Sequence, residues 1–125
     1  MKKLIVALLF LATSMFAAGQ SIGKPVFLLL WSDTCSHCNA FINGTMQDKR
    51  IKQLLKKFDV EAINVNEQNQ VPYDIDFTGV VPSIHILNQQ KSQLVNTITG
   101  NVPADQLERY LGKFLELYAE YQRSL

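Results

Sequence analysis

Cysteine is scarce in this chain: two among 125 residues, Cys35 and Cys38, only three positions apart. A secreted disulfide scaffold uses more cysteines, set farther apart. A bridge closing so short a loop would constrain the unfolded chain little, so stapling is a poor use for the pair. Histidine is equally rare, with only His37 and His85. Tetrahedral zinc at the cysteine pair would need two further ligands, and His37 lies between the two sulfurs. There is no Gly-rich phosphate loop, no spaced carboxylate pair in apolar surroundings and no serine-triad signature. An excess of charge of one sign is also missing, with 12 basic residues against 11 acidic ones. The basic cluster Lys49, Arg50, Lys52, Lys56 and Lys57 falls at helical spacing and reads as a solvated helix face. Neither nucleic acid nor an anionic membrane surface is indicated as a partner.

What is present begins with a targeting pattern. Lys2 and Lys3 precede the apolar run Leu4 to Leu11, and Ala17-Ala18-Gly19 supplies small residues before Gln20. This reads as a signal peptide over residues 1–19, with Gln20 the expected first mature residue, give or take one or two positions. The other reading is an anchor that is never removed, but the run is shorter than the ~20 residues of a membrane-spanning helix. Residues 20–125 then form one domain, large enough for a single small core, with a net charge near −1 once Lys2 and Lys3 are gone.

Along that domain, Pro25 to Trp31 is a continuous apolar run of strand length, expected to be buried on both faces of a sheet. Ser32-Asp33-Thr34 ends it with cap-forming residues. Phe41, Ile42, Met46, Ile51, Leu54, Leu55 and Phe58 then recur mainly at three- and four-residue spacing, the pattern of an amphipathic helix. Asn43-Gly44 interrupts it, and Asp48 is a candidate cap for a second segment. Val60 to Val65 is a strand candidate, and 66–79 is polar and turn-rich. Val80 to Leu87, a turn at Asn88-Gln89-Gln90, and Ser92 to Thr99 read as an antiparallel hairpin. Gly100 ends it, and Pro103 opens a final helix with Leu107, Tyr110, Leu111, Phe114, Leu115 and Tyr118 on its buried stripe. The order predicts an α/β fold with helices covering both faces of one sheet.

The chemistry falls where strand meets helix, at Cys35-Ser36-His37-Cys38. The start of a helix presents unpaired N–H groups and the positive end of its dipole, which favour a thiolate there. Cys35 is therefore the expected nucleophile. Cys38, one turn on, is within bridging reach and better buried, suited to resolve a mixed disulfide. Ser36 and His37 would tune the redox poise. When protonated, His37 places a positive charge near the thiolate and makes the disulfide more oxidising; the alternative is an exposed histidine with no such role. His85 reads as a satisfied, partly buried histidine. Val81-Pro82 places proline inside an apolar strand, where it removes a ladder donor; a cis bond would account for it.

Trp31 four residues before a helix-start Cys-x-x-Cys, then Val81-Pro82 at the head of a strand, a hairpin, Gly100 and a last helix resemble the thioredoxin superfamily across nearly all of Gln20 to Leu125. The resemblance implies a thioredoxin-like fold with a central mixed sheet and helices on both faces, and a thiol–disulfide oxidoreductase that needs no cofactor beyond the Cys35–Cys38 disulfide. It further implies that Val81 and Pro82 form the edge that pairs with a substrate chain and that Trp31 packs under the active-site surface, although plain core packing also suits Trp31. Protein disulfides or dithiols would be the substrates, with a DsbD- or CcdA-type membrane reductant recycling a reductase. Three features depart from the thioredoxin pattern. Leu29 stands where thioredoxins bury an acid. Ser36-His37 replaces Gly-Pro, its histidine matching the periplasmic oxidant DsbA, as does Val81. The first strand and helix are minimal or absent, and there is no room for the DsbA insertion. The overall resemblance is greatest to small periplasmic thioredoxin-like proteins of the SoxW-like group. The chain is thus expected to be an exported, periplasmic reductase of protein disulfides. The competing readings are an oxidant of DsbA-like poise, a non-catalytic module holding Cu(I) or a partner through its soft sulfurs, and a domain with an inert bridge.

Overall fold

The structure, a computed structural model, describes residues 23–67, 71 and 73–125. The expected signal segment 1–19 lies outside them. Strand β1 (Val26–Trp31) is the interior strand that its unbroken apolar run demands. Phe27 and Leu29 enter one core cluster, while Val26, Leu28 and Leu30 enter another on the opposite face. β1 pairs in parallel with β2 (Asp59–Asn64) and antiparallel with β3 (Ser83–Leu87), which pairs with the short β4 (Ile98–Thr99). The result, among the described residues, is a mixed four-stranded sheet in the order β2-β1-β3-β4.

A parallel pair needs a crossover, and here it is helical. Helix α1 (Ser36–Asn43) stops at Gly44, a 3-10 turn spans Thr45–Gln47, and α2 (Lys49–Leu55) follows. The interruption expected at Asn43-Gly44 is present: a Cβ on Gly44 would lie 2.8 Å from the Ala40 carbonyl oxygen. Asp48 caps α2 by accepting from the Arg50 N–H at 2.8 Å. Thr45 donates to the Val102 carbonyl at 2.6 Å and so ties this bend to the chain that enters α3 (Ala104–Ser124). From α3, Leu107, Leu111 and Phe114 join Phe41, Ile51 and Phe58 against the Phe27 face of the sheet. Each such side chain contributes roughly 1.5–3 kcal/mol by leaving water.

The expected α/β class with a central mixed sheet holds, and among the described residues Phe41, Ile51, Leu107, Leu111 and Phe114 of the three helices join one core cluster on the Phe27 face. Among the described residues the opposite face is covered by the coil that carries Val71, Tyr73, Ile75, Phe77 and Val81. That stretch is too polar and turn-rich for a helix, and it buries its alternate apolar residues individually. The strand expected over Ser92–Thr99 shrinks to Ile98–Thr99. After a bridge between Leu87 and Gln93 the chain leaves the ladder, because Gln93 and Thr97 turn inward to bond the buried His85.

Candidate active site

The turn between β1 and α1 is held by its own hydroxyls and by one amide from beyond β2. Ser32, nearly buried, shares a hydrogen bond with the Thr34 hydroxyl at 3.0 Å, and its carbonyl accepts from the Cys35 N–H at 3.3 Å. Asn66 donates from its side-chain amide to Ser32 Oγ at 2.8 Å and Thr34 Oγ1 at 3.3 Å, and also to the Asp33 carboxylate. The residues read as caps therefore brace the turn, and the N-cap itself is Cys35, with extended backbone angles (φ −101°, ψ 114°). A sulfur takes the place usually held by a cap oxygen: Cys35 Sγ accepts from the Cys38 N–H at 3.1 Å.

The two thiols occupy different surroundings. Cys35 is half-buried at the helix start, whereas Cys38 is fully buried beneath it. Burial, reinforced by the hydrogen bond and nearby charge of Cys35 and partly offset by the Ser32 backbone, pushes the Cys38 thiol up to about 11. Both are free thiols in this structure. Cys35 Sγ also faces the Val81 carbonyl oxygen across 3.7 Å, at the length limit of a thiol hydrogen bond. The Val81–Pro82 peptide is cis, Pro82 is buried, and the Pro82 carbonyl accepts from the Gly100 N–H at 2.9 Å.

The structure thus brings Cys35, Cys38, Val81 and Pro82 together. Ser36 and His37 lie on the exposed side of the first turn of α1. Trp31, at the end of β1, is half-buried against the Phe27 cluster, and its carbonyl accepts from the Val65 N–H at 2.8 Å. Leu29, where an acid was noted as missing, is buried in the same apolar cluster. His85 is fully rather than partly buried, with all its ring nitrogens bonded. Asn66 is the residue that sequence reasoning overlooked, for it sits in a polar stretch without periodicity. Its only signal is that an amide with two donors suits a turn rich in hydroxyl and carboxylate oxygens.

The sequence matches the Thioredoxin-like family model over residues 11–89, more than half of the chain and a span that contains both cysteines and Val81-Pro82. No curated protein sequence matches it. Among solved structures, a thioredoxin from Thermus thermophilus superposes with a TM-score of 0.60 at 20% identity, covering 80% of each chain. The thioredoxin of Malassezia sympodialis superposes with a TM-score of 0.59 at 15% identity, covering 80% of this chain and 85% of that one. At such identities these likenesses concern the fold.

Proposed function

The chain belongs to the thioredoxin-like family, and on that premise we propose that it is an exported, periplasmic reductase of protein disulfides, of the small SoxW-like kind. The fold and the Cys-x-x-Cys pair support a thiol–disulfide oxidoreductase in general. The observation that supports an attacking Cys35 and a resolving Cys38 is the unequal placement of the two thiols, one half-exposed at a helix start and one buried beneath it with its proton held.

The Cys35 thiolate attacks one sulfur of a substrate disulfide. A Cys35–substrate disulfide forms, and the other substrate sulfur leaves as a thiolate that takes up a proton. Cys38 then loses its proton and attacks Cys35 Sγ, which releases the second substrate thiolate and leaves a Cys35–Cys38 disulfide. Two electrons pass to the substrate. Because its thiol is pushed up to about 11, Cys38 stays protonated and does not compete as nucleophile. Val81 and Pro82 form the edge on which the substrate chain lies, with Trp31 under the adjoining surface and Ser36 and His37 facing the approaching disulfide. The pair itself is the redox group, and a membrane thiol reductant of DsbD or CcdA type restores the dithiol. Export rests on the signal pattern of residues 1–19.

The test is reduction of insulin by the chain from Gln20, with dithiothreitol as electron source. Acceleration of insulin precipitation that is lost in Cys35→Ser supports the reading, and wild-type protein no faster than dithiothreitol alone would contradict it. A second reading, an oxidant of DsbA-like poise, is favoured by His37 beside the nucleophile and is separated by the redox measurement described below.

A further inference from the structure

His85 lies beneath the loop that carries Val81, and its ring touches both feet of that loop. On one side Ser83, the residue after Pro82, approaches Nε2 with its hydroxyl at 2.9 Å. On the other, Nδ1 lies 3.1 Å from Gln93 Oε1 and 3.3 Å from Thr97 Oγ1. Those two side chains pin Asp76. Gln93 Oε1 accepts from the Asp76 N–H at 3.0 Å, and the Thr97 hydroxyl donates to the Asp76 carbonyl at 3.1 Å. Phe77 sets its ring edge-to-face on the imidazole, 6.3 Å between centroids.

The backbone partners decide where the proton sits. The Gln93 Nε2 donates to the Val95 carbonyl at 2.8 Å, so its Oε1 is the atom that faces Asp76 and His85. An amide oxygen only accepts, and Nδ1 must therefore carry the hydrogen. The bare Nε2 accepts from Ser83. Burial favours the neutral form of this saturated imidazole, which joins residues 76–77 to residue 83 under a loop whose tip presents Val80 to solvent and the Val81 carbonyl to Cys35.

We propose that His85 is a positioning residue of the thiol site: it fixes the two feet of the Asp76–Ser83 loop, and its protonation loosens the Val81 edge beside Cys35. A proton from solvent can enter only at Nε2. It turns that acceptor into a donor, reverses the bond from Ser83 and places a positive charge in a dry site, a cost relieved by admitting water under the loop. Burial accordingly holds the imidazole below its ordinary range, with the Gln93 bond and the Asp76 carboxylate opposing. The neighbours on the same element and the flanking chain are neutral: Ser83, Gln93, Thr97 and Phe77, with Leu28 opposite on β1. Glu61 lies on the same face one strand farther away, engaged by Lys91 and the Tyr73 hydroxyl. The Asp76 carboxylate is thus the charge that acts on the ring. Folded His85 binds its proton less readily than unfolded His85. Its neutral form therefore holds the loop above about pH 6.5 and is lost as pH falls through the lowered folded value.

The inference rests on the oxidoreductase reading for its consequence, whereas its geometry is tested without turnover. In the chain from Gln20, the backbone carbonyl carbon of Val81 and the His85 ring carbons are followed by NMR from pH 7.5 to 4. The expected result is one shared midpoint below about 6.5, absent at Val81 in His85→Asn, which keeps a donor near Nδ1 but lacks the Nε2 acceptor. In Gln93→Glu the added carboxylate stabilises the imidazolium, and both midpoints move up together. With insulin, KM should rise about ten-fold across the same midpoint, while alkylation of Cys35 by iodoacetamide, which needs no substrate edge, should follow the same pH profile in wild type and in His85→Asn. A Val81 signal that ignores His85, or keeps its midpoint in His85→Asn, overturns the positioning role. Wild-type protein that shows the shared midpoint but neither reduces nor oxidises insulin overturns the oxidoreductase reading and leaves the coupling standing.

Discussion

The thiol of Cys35 faces the carbonyl oxygen of Val81 at 3.7 Å, although 46 positions separate the two in the chain. One wall of the site is a helix start and the other a loop entering β3. Each is braced by residues outside the Cys-x-x-Cys motif, Asn66 for the first and His85 for the second. The consequences are testable one at a time.

The buried thiol is the least reactive part of the site. In the reduced protein, iodoacetamide at pH 8 should label Cys35 and spare Cys38, whose thiol is pushed up to about 11. Peptide mapping after timed alkylation checks this. Because the folded state holds that proton more tightly than the unfolded thiol, stability of the reduced form should fall as pH rises from about 8.5, the unfolded value, towards 11. Urea titrations of the reduced protein at pH 7 and 10 measure the difference. Equal stabilities would contradict it.

Asn66 braces the turn in front of the nucleophile through three side-chain acceptors. Replacing it by alanine takes from Ser32 Oγ, within a nearly buried residue, its donor at 2.8 Å and leaves it the longer bond from the Thr34 N–H at 3.3 Å. Asn66→Ala should lose about 1 kcal/mol of stability and slow insulin reduction several-fold, with Asn66→Asp, which accepts where a donor is needed, no better than alanine. Unaltered turnover in both variants would remove the brace from the account.

The bend between α1 and α2 depends on a missing side chain. A Cβ at position 44 would sit 2.8 Å from a backbone oxygen that cannot yield without moving the helix. Gly44→Ala should cost roughly 1–3 kcal/mol, the range for forced overpacking, read as a lower denaturation midpoint with an unchanged slope in urea.

The direction of electron flow is decided by the potential of the pair. A reductase requires a Cys35–Cys38 potential near glutathione's or lower, roughly −220 mV or below, against about −120 mV for a DsbA-like oxidant. Equilibration with glutathione buffers and quantification of the two forms gives the value. A potential well above that of glutathione would reverse the assignment to oxidant.

Much of this architecture was legible in the chain because the signals were local. The apolar run of β1 could only be an interior strand, Gly44 and Asp48 marked a bend and a cap, and the spacing of Leu107, Leu111 and Phe114 wrote out a buried helix face. Cys35 and Cys38 were legible for the same reason, since position at a helix start follows from neighbours in sequence. What depended on distant partners was not. Gln93 and Thr97 lie in a stretch with strand composition, yet they leave the ladder to satisfy His85, whose demand for partners arises only once β3 is buried. The coil over the Leu28 face alternates its apolar residues at Val71, Tyr73, Ile75 and Phe77, yet it forms no strand of the sheet and packs them one at a time, which a strand-like period does not reveal. Asn66 acts across 34 positions, and nothing near it in the chain indicates the turn it holds.

The most direct test of the account is capture of the intermediate. Cys38→Ser, reduced and mixed with a peptide disulfide, should accumulate a covalent peptide adduct on Cys35, found by mass spectrometry and released by dithiothreitol. Cys35→Ser should form none under the same conditions. An adduct on Cys38 in the Cys35→Ser variant, or none on Cys35 in the Cys38→Ser variant, would contradict the assignment of an attacking Cys35 and a resolving Cys38.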